Sequence, residues 1–418
     1  MHHLTEIKLY FKNNINRYHA SSFRRGIFFI GLRNIESKTE KMVLLSGPNM
    51  GGNVWKYVKD CLDTGWVSSV GAYVDQFEKM TAEFAGTKYA VATSSGTTAL
   101  HIALILAGVN ENDCVIAPNV TFIATCNSIK YTGAHPILID TDEKSWQMDL
   151  NLLETFLQEE TEQINGSCYH KKEGKRIPVI MPVHVLGNIC DMDRLMTIAL
   201  KHNIIIIEDS TEALGSYYKG KHAGSFGLMG TFSYNGNKII TTGGGGMIVT
   251  DNEELAKKAK HLTTQAKSDP FEYIHDEIGY NYRLVNVAAA MGVAQMEQLP
   301  DFIQRKKEII SFYKKELAGV GDIAFQEVSE EVNPNWWMPT IFSSKQRDIL
   351  KVLNDHKLQS RPFWVPMNQL KMFTDDIYVT VNDRSDFVYK HCLSIPCSTY
   401  ITNDELQSVV DKIKSVFS

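Results

Sequence analysis

Four isoleucines stand in a row at positions 204–207, followed at once by Glu208, Asp209 and Ser210. A strand with one wet face alternates apolar and polar side chains, so an unbroken β-branched run marks a strand covered on both faces. Other largely apolar runs recur at 89–93, 114–117, 136–140 and 178–183. Stretches with helical spacing separate them, at 55–63, 74–85, 99–107, 121–131, 150–159 and 192–202, while 166–176 reads as a polar loop. This alternation predicts an α/β fold, with a mainly parallel central sheet and helices on both faces. Its crossovers should be right-handed, and a ligand should sit beyond the carboxyl ends of the strands.

The second half continues the pattern and then changes. Strands are predicted to flank residues 234–246, and helices to cover 253–262 and the stretch from 286 to Pro300, which should break it. A helix over 302–317 follows, then short strands near 322–325 and 337–342 and helices at 346–356 and 403–417. The expected division is a large domain over 42–299 and a smaller α+β domain over 300–418. Residues 1–41 are rich in Lys and Arg and read as a loose basic extension, its apolar stretch 26–32 being too short to span a membrane.

Composition excludes several functions. A net charge of −5 does not favour a nucleic-acid partner, and no apolar run reaches the roughly 20 residues of a membrane helix. Seven scattered cysteines without a CxxC pair suggest reduced thiols in a cytoplasm and no metal site. Asn165-Gly166-Ser167 matches a glycosylation sequon, which has no meaning without secretion.

Three features carry chemistry. Asp209 follows the isoleucine run and so lies at the sheet's rim. Lys238 stands in the loop before four glycines, Gly243–Gly246. Ser95, Gly96 and Thr97 lie between a strand and a helix, where free backbone N–H groups and the helix dipole favour a phosphate. Alone, each has an ordinary reading: an acidic N-cap, a surface lysine, a serine N-cap. Together they suit pyridoxal 5′-phosphate, whose aldehyde condenses with a lysine, whose ring nitrogen is kept protonated by a carboxylate, and whose phosphate rests on a helix start. Ser233, five residues before the lysine, adds a hydroxyl.

The stretches ATSSGTTALHIAL, APNVTFIATCNSI, EDSTEALGS, SYNGNKIITTGGGGM and GYNYRLVNVAAAMGVAQMEQL resemble the DegT/DnrJ/StrS sugar aminotransferase family, a group of fold type I pyridoxal-phosphate enzymes. The resemblance runs from about residue 44 to the C-terminus. Within it, TGWVSSVGAYVDQFE and WQMDL are most similar to the legionaminic-acid and bacillosamine-type subgroup, which aminates C4 of nucleotide-linked 4-keto-6-deoxy-N-acetylhexosamines.

The resemblance implies that Lys238 bonds the cofactor and shuttles the proton, Asp209 pairs with the ring nitrogen, and Ser95, Gly96, Thr97 and Ser233 hold the phosphate. It implies that Phe122 stacks on the ring and that Asn281 reaches the phosphate of a neighbouring subunit, making a homodimer with shared sites. Glutamate would be the donor and a nucleotide-linked keto sugar the acceptor. Residues 65–69 with Trp66, His184, Trp336, Trp337 and Arg361 are further candidates for the substrate pocket, each also readable as a packing residue. One position departs from the family: Glu212 stands where a glutamine usually touches the cofactor's phenolic oxygen. The related nucleotide-sugar dehydratases carry histidine in place of the lysine, so Lys238 favours transamination over dehydration. Amination at C3 and a GDP-perosamine-type synthase activity would use the same motifs and stay open.

Overall fold

The computed structural model describes residues 42–269 and 271–418; the basic segment 1–41, read above as a loose extension, lies outside the described residues. In chain order the helices are α1 (Val54–Thr64), α2 (Ala72–Ala85), α3 (Gly96–Leu106), α4 (Ala124–Tyr131), α5 (Leu150–Glu159), α6 (Met192–Lys201), α7 (Glu253–Thr263), α8 (Asn286–Met296), α9 (Leu299–Glu316), α10 (Gln346–Asp355), α11 (Arg384–His391) and α12 (Asn403–Lys414). The strands of the large sheet are β1 (Tyr89–Thr93), β2 (Cys114–Pro118), β3 (His135–Ile139), β4 (Val179–Ile180), β5 (Ile205–Asp209), β6 (Met229–Ser233), β7 (Gly246–Thr250) and β8 (Ile377–Val379). Their spatial order is β1-β7-β6-β5-β4-β2-β3-β8. The predicted parallel sheet is present: β7 is antiparallel to its neighbours β1 and β6, and every other pairing is parallel.

The side-chain period of two explains why the strands lack polar positions. Ile206, Ile116 and Ile180 face a core shared with α5 and α6, built on Leu153, Phe156, Leu195 and Ile198. Their neighbours Ile207, Val115 and Val179 face the opposite core, shared with α3 and α7. Helix α3 packs on α4, α7, β6 and β7, so its residues from Ala99 to Leu104 are nearly all buried. The same alternation sends Glu208 and Asp209 to opposite faces of β5, which decides their separate roles.

A second sheet, antiparallel throughout, takes its strands in the order Ala324–Phe325, Thr340–Phe342, Cys392–Ser394 and Arg361–Pro362. Pro300 falls in the first turn of α9, where a missing N–H costs nothing, so it starts a helix and kinks none. Sequence reasoning did not anticipate β8, α11, or the strands at Arg361–Pro362 and Cys392–Ser394. It also read 166–176 as a loop, but Thr161–Ile164 and Ser167–His170 form a hairpin. The signal was the Asn165-Gly166 pair, both at positive φ (51° and 78°), the residues that a tight hairpin turn requires. All seven cysteines are buried and unpaired, in accord with reduced thiols.

The glycine run serves packing. A Cβ on Gly246, the first residue of β7, would lie 2.2 Å from Ser95 O and 2.7 Å from Gly96 N. The antiparallel strand therefore lies directly against the first turn of α3, and only glycine permits that approach. Gly246→Ala should force the strand and helix start apart, at a cost of about 1–3 kcal/mol. Differential scanning calorimetry should show a lowered Tm, and equilibrium dialysis should show at least about a tenfold loss of pyridoxal-phosphate affinity. A variant with parental Tm and affinity would mean that the contact is not needed.

Candidate active site

Each chemistry-bearing segment emerges at the carboxyl end of a parallel strand. β1 leads through Ser94 and Ser95 into α3, β5 ends on Asp209, and β6 ends on Ser233 before the lysine loop. Strands β5 and β6 are hydrogen-bonded neighbours with Thr231 opposite Asp209, so the acid and the lysine loop leave the sheet side by side.

Ser95 is the N-cap of α3. Its hydroxyl accepts the Thr98 N–H at 3.1 Å, and the Thr98 hydroxyl answers by accepting the Ser95 N–H at 3.0 Å, a full capping box. The ordinary reading of Ser95 is therefore realised. The first N–H groups of the helix, at Gly96 and Thr97, retain the geometry that suits a phosphate. Gly96 has no room for a side chain, since a Cβ would stand 2.8 Å from Ser233 Cβ and 3.1 Å from Thr211 Cγ2. Ser233 thus lies against the helix start, as an anion cradle shared by β6 and α3 requires.

The loop from Tyr234 to Gly245 is closed at its base. Tyr234 N donates to Gly245 O at 2.9 Å, and Thr242 N donates to Tyr234 O at 3.0 Å. Tyr234 is fully buried against Phe77, with ring centroids 4.8 Å apart, and Ile239 and Ile240 are buried as well. Lys238 is the polar residue beside those anchors, and its side chain is only 10% exposed. Its amine has two neighbours. Glu212 Oε1 is 3.8 Å from Nζ, and the Trp337 ring centroid is 4.1 Å away.

Glu212 is buried too, and accepts the Leu186 N–H at 2.8 Å. Burial pushes its carboxyl up to about 7, with the lysine opposing the rise. Burial likewise holds Lys238 below the usual lysine range, against the pull of Glu212 and Asp209. The two shifts agree in direction: desolvation outweighs the attraction between the charges and favours the neutral forms of both.

Asp209 is 2% exposed. Its Oδ2 accepts the Thr125 hydroxyl at 2.6 Å and its Oδ1 accepts the Thr211 N–H at 3.2 Å. Among the described residues no lysine or arginine lies within ion-pair distance of it, and the bonds that hold it come from neutral donors. Thr125 was missed. It lies in the first turn of α4, where its hydroxyl also bonds that of Thr121, in the loop before the helix, at 2.8 Å.

Lys238 and Glu212 border a cavity of about 260 Å³, whose lining includes Thr211 and Ala124, the neighbours of Asp209 and Thr125, but not those two residues themselves. Ser95, Gly96, Thr97, Phe122, Glu212, Ser233, Lys238, Trp337 and Arg361 line it. Phe122 is 53% exposed, a bare ring at the cavity that suits stacking on a flat ligand. A phosphate-bearing pyridine aldehyde fits this donor set: a helix start for the phosphate, an aromatic face, a buried acid, and an amine with a depressed pKa. Asn235, Asn237, Phe363 and Trp364 also line the cavity and were not anticipated. The last two come with the overlooked strand Arg361–Pro362.

Other expected residues stand elsewhere. His184 is wholly buried, with Nε2 2.9 Å from Glu208 Oε2, while Glu208 also accepts the N–H groups of Gly224, Phe226 and Gly227. This is packing on the face of β5 opposite Asp209, so His184 is no pocket contact. Trp336 lies under the Lys314 ammonium at 4.4 Å and lines no part of the cavity; its neighbour Trp337 does. Trp66 is 58% exposed in the turn after α1, where its carbonyl accepts Asn286 Nδ2 at 2.7 Å, and it too lies off the cavity. Asn281 is exposed, bridged to Thr264, and outside this chain's own cavity.

A profile of the DegT/DnrJ/EryC1/StrS aminotransferase family matches residues 48–414. GDP-perosamine synthase of Escherichia coli O157:H7 is 36% identical over 381 residues, covering 90% of this chain and 99% of that protein. UDP-4-amino-4,6-dideoxy-N-acetyl-beta-L-altrosamine transaminase of Campylobacter jejuni subsp. jejuni serotype O:23/36 is 31% identical over 374 residues, 86% of this chain and 94% of that one. Among solved structures, the PLP form of Spr1654 from Streptococcus pneumoniae superposes with a TM-score of 0.81 at 24% identity, over 90% of this chain and 98% of that chain. The chain therefore belongs to the DegT/DnrJ/EryC1/StrS aminotransferase family, and its cofactor is pyridoxal 5′-phosphate.

Proposed function

We propose that this enzyme moves the amino group of glutamate to C4 of a nucleotide-linked 4-keto-6-deoxy sugar, for the assembly of a surface glycan. The observation that carries the reading is the buried Lys238 amine beside Glu212 in a cavity bordered by a helix start. The sugar class is supported by relatives whose names specify amino-dideoxy nucleotide sugars. When bound, the cofactor supplies an electron sink for the carbon that loses or gains a proton. Lys238 holds the cofactor and carries that proton between carbons. Asp209 would keep the ring nitrogen protonated, and its two hydrogen bonds from neutral donors hold the carboxylate in place. Gly96, Thr97 and Ser233 hold the phosphate, and Phe122 stacks on the ring. Arg361, whose guanidinium makes one long 3.4 Å hydrogen bond among the described residues, to Ser360 O, offers that group to a carboxylate or diphosphate. In this reading the working unit is a homodimer, with the exposed Asn281 serving the partner's site.

Two acceptors remain in view. The subgroup resemblance favours a UDP-linked N-acetylhexosamine. GDP-perosamine synthases from three bacteria, at 33–36% identity, favour a GDP-linked sugar without the acetamido group. Incubation with glutamate and a panel of UDP-, GDP- and dTDP-4-keto-6-deoxy sugars, with products read by NMR, should give one 4-amino sugar. Amination at C3, or loss of a hydroxyl without nitrogen transfer, would overturn the reading.

Lys238→Ala should retain the cofactor non-covalently and lose turnover by at least about a thousandfold, since one group supplies both the covalent link and the proton transfer. Turnover near the parent's would show that another lysine does the work. Glu212 makes a pH prediction. Its folded pKa, about 7, lies above the unfolded value, so its contribution to stability is complete at low pH and is lost as pH rises through 7. Glutamine mimics the protonated acid and loses nothing over that range. The Tm of cofactor-free Glu212→Gln, relative to the parent, should therefore be higher at pH 8 than at pH 5 by about 2–4 °C. An equal difference at both pH values would place the Glu212 titration elsewhere.

A further inference from the structure

Trp337 walls the cavity and also holds the lysine loop. Its indole Nε1 donates to Asn237 O, the residue before the lysine, at 2.7 Å. Its ring lies 4.1 Å from the Lys238 amine. Rotating the indole would break both contacts at once, so ring and loop move together or not at all.

The backbone of Trp337 is gripped from two sides. Asn335, wholly buried, accepts the Trp337 N–H through Oδ1 at 2.8 Å and donates through Nδ2 to Glu212 O at 2.9 Å and Leu214 O at 3.0 Å. One amide side chain therefore fixes the distance between the two groups that flank the amine. Gly187 is needed for this amide to fit, because a Cβ there would fall 1.9 Å from Asn335 Oδ1. On the other side the buried Lys306 amine donates to Trp337 O at 2.8 Å and to Cys397 O at 2.7 Å.

We propose that Trp337 and Glu212, spaced by Asn335, form the resting place of the Lys238 amine whenever it is free of the cofactor. Transamination releases that amine in every cycle, and a long flexible side chain set loose in a cavity would sample many rotamers. A negative ring face on one side and a carboxylate on the other keep the amine near the carbon it must serve. The carboxylate can accept its proton; the ring can only attract its charge. Trp337 is thus a positioning residue that acts through Lys238. The charged groups facing the amine are Glu212 from the turn after β5 and Asp209 at the end of β5, with Arg361 on the same cavity from the second sheet.

The proposal rests on Lys238 being the cofactor-bonded lysine, which Lys238→Ala judges separately; the tests below read the amine in cofactor-free protein and need no sugar. Reductive methylation with ¹³C-formaldehyde, assigned with Lys238→Arg, should place the Lys238 methyl signal upfield of the surface lysines through the indole ring current. A signal among the surface lysines in the parent protein overturns the proposal without recourse to a Trp337 variant. Competitive acetylation across a pH series, read by mass spectrometry, should then show the Lys238 midpoint lowered in Trp337→Leu by roughly 0.5–1.5 pH units, because the ring no longer favours the ammonium. Trp337→Phe keeps a ring face and loses only the Asn237 bond, so it should recover at least about half of that difference. In the holoenzyme, Trp337→Leu should lower kcat several-fold with little change in the KM for glutamate. A folded Trp337→Leu with the parental midpoint, or a Trp337→Phe that titrates like Leu, rejects the ring as the source.

Discussion

The arrangement depends on keeping one amine out of water. A lysine ammonium is strongly hydrated, and enclosing it favours the neutral, nucleophilic form. The chain accepts that cost at Lys238 and limits it with Glu212 at 3.8 Å and the Trp337 ring at 4.1 Å. Much of the surrounding structure serves this placement. Parallel pairing of β5 and β6 brings the Glu212 turn beside the lysine loop. The antiparallel β7 returns from that loop along the start of α3, which is why Gly246 has no room for a side chain.

Adjacent residues on one strand divide the work. Asp209 is held by Thr125 and by its own turn. Glu208 points to the other face and binds His184 and the turn at 224–227. The acidic pair after four isoleucines is thus split between the two faces of the sheet by the strand's pleat. His184 was misassigned for this reason: a histidine near a strand's carboxyl end looks functional until the facing of its partner is known.

The parts of the fold visible in the sequence were those with local causes. Unbroken Ile and Val runs marked β5 and β2, and helical spacing marked α1, α5 and α6. Lys238 and Gly96, which the structure brings to one cavity, could be singled out because strand-end chemistry has a compact signature, whereas the hairpin at 161–170 was overlooked although Asn165-Gly166 announced it. What stayed hidden depends on distant pairing. The strand Arg361–Pro362 is two residues long and exists because Cys392–Ser394 lies beside it. Asn335 looks like a turn residue in the sequence, yet it hydrogen-bonds Glu212 and Leu214, more than 120 positions away. Trp336 and Trp337 could not be told apart by type. Backbone direction separates them: Trp336 has φ +53° and turns to Lys314, leaving Trp337 on the cavity.

The carboxylate at position 212 has a physical rationale. An amide there could accept the Leu186 N–H equally well, so that hydrogen bond does not select glutamate. The difference is the proton. Ammonium with carboxylate, and amine with carboxylic acid, have the same net charge of zero. A proton passed between Lys238 and Glu212 therefore changes no net charge in a site that solvates charge poorly, while a lysine facing an amide must exchange its proton with solvent or ligand. Burial raises the carboxyl and lowers the amine, moving both toward their neutral forms. A carboxylate at position 212 thus lets the amine and its neighbour share a proton without a change of net charge.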